Sequence, residues 1–214
     1  MKKLLVVLCA TVFVFGVVKL ANALPVEIYS NNFESSIGSE WSDTQINYSP
    51  ILGNYHGDYY LSQGSTLTLT GIQPHTQLSL EFDLYLFYTW DGNDTYYGPD
   101  WFGLDGDIDM EWTFTNHQPE GQSYPGSPDE IYGSGSTSTH VYRGLDPTGF
   151  GDEFLISHTD QTFNVAFTGP TTQSDEWWGI DNVRVTVNSV PEPATCLLLL
   201  FGFTGLLGLK KKFS

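Results

Sequence analysis

The chain has 214 residues and a formal net charge of −17, which leaves room for one domain with short appendages. Of its 25 Asp and Glu residues only Glu192 lies outside residues 24–189, and of its 8 Lys and Arg residues only Arg143 and Arg184 lie inside. This excludes nucleic-acid binding, which needs a basic patch, and makes an anionic membrane surface an equally poor partner.

The start reads Met1-Lys2-Lys3, an apolar run from Leu4 to Val18, then Ala21-Asn22-Ala23. A positive start, a short greasy stretch and small residues at −3 and −1 predict a signal peptide over 1–23, removed by signal peptidase. The run is shorter than the ~20 residues of a spanning helix. Cys9 and Cys196 both fall outside the body. The body therefore makes no disulfide and carries no thiol chemistry, and at about 165 residues it is large enough to bury a core without staples.

From residue 24 to 189 the composition favours strands and turns. Leu67 and Leu69 alternate with Thr66, Thr68 and Thr70; Leu78, Leu80, Phe82, Leu84 and Leu86 alternate with polar residues. Phe163, Val165 and Phe167 repeat the pattern, as do Val183, Val185 and Val187. Such period-two runs predict strands with one buried face. From Tyr85 to Trp90 the second face is aromatic too, which predicts a central or covered strand. Turn signals separate the runs: Gly53-Asn54, Gly57-Asp58, Asp91-Gly92-Asn93, Gly98-Pro99 and Asp105-Gly106. The Gly-, Ser- and Pro-rich stretch 119–138 reads as a long loop. About ten short strands predict an all-β domain, a two-sheet β-sandwich of jelly-roll type, with no amphipathic helix between the termini.

Within the body, Asp91, Asn93, Asp100 and Asp105 fall at loop positions and have the oxygen-ligand character that Ca²⁺ takes, without EF-hand spacing. Asp107-Ile108-Asp109-Met110-Glu111 is the one catalytic-looking string. On a strand its three acids would share a face, as a wet face or a cation-binding row. The string resembles the active strand of laminarinase-type β-glucanases, retaining enzymes with two carboxylates about 5 Å apart. Asp107 replaces their nucleophilic Glu and is one methylene too short. A glycoside hydrolase using 107–111 is thus the alternative function, and a non-enzymatic module the leading one. His56, His75, His117, His140 and His158 show no metal spacing and read as surface or loop residues. Of the six tryptophans, Trp41, Trp90, Trp101 and Trp112 read as core. Trp177 and Trp178 must point to opposite faces of a strand, one into the core and the other as a glycan platform.

The body begins Asn31-Asn32-Phe33-Glu34 and ends Trp177-Trp178-Gly179-Ile180-Asp181-Asn182. These ends resemble those of jelly-roll carbohydrate-binding modules. The resemblance implies neighbouring first and last strands and a structural Ca²⁺ shared by Glu34 and Asp181, with Asn32 and backbone carbonyls. The other reading is that Asp181 makes hydrogen bonds that hold a turn. The stretch from Gln73 to Asp100 is also similar to tagged bacterial surface proteins of unassigned role, which bears on fold and not on chemistry.

The tail carries the most specific signal. Val190-Pro191-Glu192-Pro193 ends the last strand, Ala194–Leu209 is apolar, and Lys210-Lys211-Lys212 follows. The prolines stop the strand, and Pro193 suits a first helical position. Sixteen residues rising ~1.5 Å each give a short transmembrane segment over 194–209. The terminal lysines then set the C-terminus in the cytoplasm and the body outside. Residues 190–214 resemble the PEP-CTERM sorting signal of Gram-negative bacteria, which implies an exosortase as partner and an association with exopolysaccharide and biofilm matrix. The sequence therefore predicts an exported protein that passes the inner membrane and reaches the cell surface or extracellular matrix. Its body is a Ca²⁺-stabilised module for matrix association or binding of acidic or neutral glycans, with a purely structural matrix protein as the third class.

Overall fold

The computed structural model describes residues 25–61, 63–116, 121–145, 154–169 and 176–189. The signal segment 1–23, the Val190–Pro193 motif, the membrane segment 194–209 and Lys210–Lys212 lie outside the described residues. Among the described residues no helix is long and apolar enough to cross a membrane, and a 3₁₀ turn, Gly135–Thr137, is the one helical element.

Among the described residues twelve strands form two sheets. They are β1 Pro25–Asn31, β2 Ile46–Ser49, β3 Gly53–Tyr59, β4 Gly64–Thr70, β5 His75–Tyr88 and β6 Trp101–Gly106. After them come β7 Met110–Thr113, β8 Glu130–Tyr132, β9 Thr139–Tyr142, β10 Phe154–Ser157, β11 Thr162–Thr168 and β12 Glu176–Ser189. The larger sheet runs β2-β3-β12-β5-β9-β8, with β1 added along β12 and β10 along β5; the smaller runs β4-β11-β6-β7. The chain changes sheet at each of six connections, so neither sheet forms without the other. The two-sheet sandwich expected from the alternation is present.

β5 and β12, 14 residues each, lie side by side at the centre of the larger sheet. Leu78, Leu80, Phe82, Leu84 and Leu86 point every second residue into the core, all within 1% exposure. They meet Phe102 of β6 and Phe167 of β11 across the sandwich, with ring centroids of Phe82 at 5.8 and 5.1 Å from the two. The second face of β5 is covered as well. Tyr85 packs with Tyr55 and Val141 in a separate outer cluster with Phe87 and Tyr132, which is why aromatic residues occupy both faces of that strand.

β12 changes phase midway. Trp178 and Ile180 point inward, then Val183, Val185 and Val187 do. The extra residue is taken up at Asp181-Asn182, where Asn182 adopts φ 50°, a left-handed conformation that asparagine tolerates better than most residues. This bulge turns Asp181 and Asn182 together onto the outer face.

The stretch 121–138 is not a plain loop. It contains β8 and the 3₁₀ turn, Tyr124 is buried in the core, and the Gln122 side-chain amide donates to the carbonyls of Tyr124 and Gly126. One buried ring and one side chain replacing backbone partners fold a segment whose composition reads as unstructured. The histidines also depart from the surface reading: His56, His75, His140 and His158 are all buried, while His117 lies outside the described residues.

Two adjacent positions on β5 separate core packing from surface charge. Phe82→Ala should lower unfolding free energy by about 3–5 kcal/mol. Glu81→Ala, which breaks a pair with Arg184 in which both side chains are more than 40% exposed, should cost under about 1 kcal/mol. Urea denaturation checks both, and a comparable loss at the two positions would contradict this division.

Candidate functional site

Three places gather the chemistry-bearing residues. The first closes one end of the sandwich. Trp90 is fully buried, and its indole N–H donates to the carbonyls of Phe87 and Trp177. This ties the end of β5 to the start of β12 and sets Glu176 beside the loop that follows Trp90. In that loop the Asp91 N–H donates to Asp100 Oδ2 at 2.6 Å and the Asp100 N–H to the Gly92 carbonyl at 3.0 Å. Carboxylate oxygens of Asp91, Asp100 and Glu176 thereby come within 4.8 Å of one another, with Asp100 and Glu176 at 0% and 1% exposure. Three acids so close and so shielded repel one another unless a cation or a proton sits among them. The body's two arginines pair elsewhere, Arg143 with Asp83 and Glu130, Arg184 with Glu81. The all-oxygen donor set fits a hard divalent cation.

Of the four loop residues read from sequence as one oxygen cluster, the fold brings Asp91 and Asp100 together and sets Asp105 apart. Asn93 Oδ1 accepts a hydrogen bond from Thr113 Oγ1 at 2.5 Å. Asp105 sits five residues along β6 from Asp100, about 17 Å on an extended strand. Glu176 was not foreseen: it is distant in sequence and lacks a local metal pattern. Next to it, Trp177 is half-buried, stacked on Tyr60 at 5.3 Å and met edge-on by Tyr88 at 6.1 Å. Trp178 is the core partner of the pair.

The second place is the outer face of the bulge. Asp181 accepts hydrogen bonds from the Asn182 N–H at 2.7 Å and the Tyr85 hydroxyl at 3.0 Å. Asn182 Nδ2 and Arg143 Nη1 both donate to Asp83 Oδ2 at 2.8 Å. Glu34 Oε1 accepts the Asn54 N–H at 3.2 Å, and Asn32 Oδ1 accepts the Glu34 N–H at 3.4 Å. Asn32 lines a shallow depression with Glu81, Asn182 and Arg184. Among the described residues Glu34 and Asp181 join no three-acid group, and the hydrogen bonds of Asp181 hold the bulge. Burial pushes the Asp181 carboxyl up to about 6; the charges of Asp83 and Glu34 push the same way, against the hydrogen bonds from Asn182 and Tyr85.

The third place is a groove of about 460 Å³ on the outer face of the smaller sheet. Phe102 and Leu104 of β6 point inward, so Trp101, Gly103 and Asp105 face out. Gly103 lies opposite Glu111 on β7 and opposite Thr168 on β11. A glycine therefore forms the floor, with Trp101 and Asp105 along the strand and Glu111 and Thr168 across it. A Cβ at position 103 would meet Trp101 Cζ3 at 3.2 Å, so the indole leans over the floor. Asp109 and Met110 complete the wall. Trp101, expected in the core, is the groove's aromatic.

The catalytic-looking string does not lie on one strand. Gly106 ends β6 with φ 117°, the chain turns, and β7 begins only at Met110, with Ile108 buried in the turn. Asp107 swings away from the groove: its Oδ2 accepts the Asn164 N–H at 2.7 Å and lies 3.6 Å from His158 Nε2. Asp107 and Glu111 are therefore not presented as a facing pair.

Comparison with known proteins settles the tail. Residues 189–212 match the model of the PEP-CTERM protein-sorting motif. The chain carries a PEP-CTERM sorting signal. It is accordingly an exported protein whose tail is processed by an exosortase. No curated protein matches. Among solved structures, the K3 cleaved adhesin domain of Lys-gingipain from Porphyromonas gingivalis is 12% identical, covering 75% of this chain and 99% of its own at a TM-score of 0.38. The CBM22-1 xylan-binding domain of Paenibacillus barcinonensis Xyn10C is 11% identical, covering 79% and 99% at 0.37.

Asp181 yields a pH test. Its folded-state value of about 6 exceeds the ~3.9 of an unfolded Asp, so the folded state binds the proton more tightly. Its contribution to stability is therefore present below about pH 4 and declines as pH rises to about 6. Asp181→Asn should remove that decline from the pH dependence of the urea midpoint. An unchanged slope would contradict the assignment.

Proposed function

We propose that the protein is a non-enzymatic glycan-binding module of the cell surface or extracellular matrix. A signal peptide exports it, the PEP-CTERM tail retains it through the membrane and an exosortase, and bound Ca²⁺ stabilises its jelly-roll-like body. The observation that carries the binding reading is the groove over Gly103. Trp101 offers an apolar ring face for a sugar ring to stack on. Asp105, Asp109 and Glu111 offer acceptors for hydroxyl groups, and the missing side chain at Gly103 leaves the depth. Three carboxylates favour neutral or amino-bearing sugars over uronic acids, which would need a bridging cation. Such a module in a biofilm matrix would hold its cell to polysaccharide.

The Ca²⁺ reading rests on Asp91, Asp100 and Glu176, with Asp91 and Asp100 supplied by one loop and Glu176 by the first residue of β12. An ion there would clamp the β5–β6 connection to the sheet. The non-enzymatic reading is supported by the parting of Asp107 from Glu111, since Asp107 is bonded to Asn164 away from the groove that Glu111 lines.

Two experiments test this. Titration of the protein with neutral, amino-bearing and uronic-acid oligosaccharides should give binding to the first two, and Trp101→Ala should weaken it about tenfold or more without changing the melting temperature beyond a few degrees. Equal binding by the variant would sink the groove. Ca²⁺ at ~100-fold its Kd should raise the melting temperature by about 5–10 °C, and Glu176→Gln should abolish the shift. No shift in the wild-type protein would remove the ion.

A further inference from the structure

His75 and His158 face each other at one edge of the sandwich, 3% and 8% exposed. His75 opens β5, and His158 follows β10, in the larger sheet. Their rings stack at 5.0 Å, with His75 Nε2 2.7 Å from His158 Nδ1. On one side His75 Nδ1 lies 2.8 Å from the Gln73 carbonyl oxygen, which only accepts, so Nδ1 carries a proton. On the other side His158 Nε2, buried and without a hydrogen-bond partner closer in, points at Asp107 Oδ2 3.6 Å away. Asp107 is itself bonded to β11 of the smaller sheet: its N–H donates to the Asn164 carbonyl at 2.9 Å, and its Oδ2 accepts the Asn164 N–H. Phe163 meets the His158 ring edge-on at 5.8 Å. Asp107 is the charged group facing the pair; Asp160, two residues after His158, and Asp109, in the turn of Asp107, are exposed.

A proton count decides what this chain of groups does. With both rings neutral, the proton between them comes from His158 Nδ1 and leaves a bare Nε2 lone pair against a carboxylate; alternatively Nε2 is protonated and two bare nitrogens meet at 2.7 Å. Either way one contact is repulsive. With both rings cationic, two N–H groups and two positive charges meet at that distance. With a single added proton every contact is satisfied: one N–H···N bond joins the rings, and His158 Nε2–H faces Asp107.

We infer that His75 and His158 share one proton, and that the resulting cation latches Asp107 and with it the 106–109 turn that walls the groove. The turn carries Asp109 and leads into Glu111, so the latch sets two of the groove's three carboxylates. Its effect on sugar binding rests on the groove reading above; the latch itself does not. Grip is then greatest where the pair holds one proton. It loosens on the acid side, where a second proton breaks the N–H···N bond, and on the alkaline side, where the shared proton leaves Asp107 facing a lone pair.

The test uses the full chain. Nitrogen chemical shifts of the two rings should report three protons over four ring nitrogens at mid-range pH. Protection of amides 106–111, as hydrogen exchange relative to the intrinsic rate at each pH, should be greatest there and about tenfold lower on either flank. His158→Gln should flatten the profile. Should that buried variant fail to fold, the partly exposed Asp107→Asn is expected to make protection of the turn independent of pH while the ring nitrogens still report the shared proton. Two neutral rings at mid-range pH, or an unaltered exchange profile in either variant, would overturn the inference. A groove that binds no sugar but keeps the pH-dependent protection would support the latch and overturn the binding reading.

Discussion

Everything in the body is hung on the pairing of β5 with β12. Both run 14 residues, and both are shielded on two faces, inwardly by the smaller sheet and outwardly in part by the Tyr55–Tyr85–Val141 cluster. Central strands of that length are held by backbone hydrogen bonds along both edges, so they form the most rigid part of a sandwich. Each site takes its position from one of them. Glu176 is the first residue of β12, Asp181 its bulge and His75 the first residue of β5, while the Trp101 groove backs onto rings that Phe82 supports from behind.

What alternation could show, it showed. Leu78 to Leu86, Phe163 to Phe167 and Val183 to Val187 lie as their period-two pattern demands, because burying one face of a strand is a local, repeated requirement. The covered second face of β5 was legible for the same reason, since aromatic residues on both faces have no other place to go. The bulge at Asp181-Asn182 was not: alternation before and after it is regular, and only the change of phase between Ile180 and Val183 records it. Asp107 to Glu111 misled for the opposite reason. Alternating acids imitate a strand face, but Gly106 breaks the strand first.

The site was less legible than the fold because carboxylates and histidines acquire their roles from partners far away in the chain. Asp91 and Asp100 were recognisable as loop oxygens, whereas Glu176 joins them only because Trp90 ties Trp177 to the end of β5. His75 and His158 are 83 residues apart and carry no spacing motif. Trp101 reads like any core tryptophan until Gly103 opens the space its ring leans over. The tail was the reverse case: a sorting signal is read by a receptor as a linear string, so sequence alone suffices.

The strand that meets the sorting signal has a mechanical consequence. The last residue of β12 is Ser189, and the matched motif starts at that same residue, so a force applied at the motif enters the fold directly through a central strand. That strand is flanked by β5 on one side and by β1 and β3 on the other. Pulling along it loads these ladders in shear, where many hydrogen bonds must fail together, instead of peeling an edge one bond at a time. In the proposed role at the cell surface, strength is greatest along this one direction.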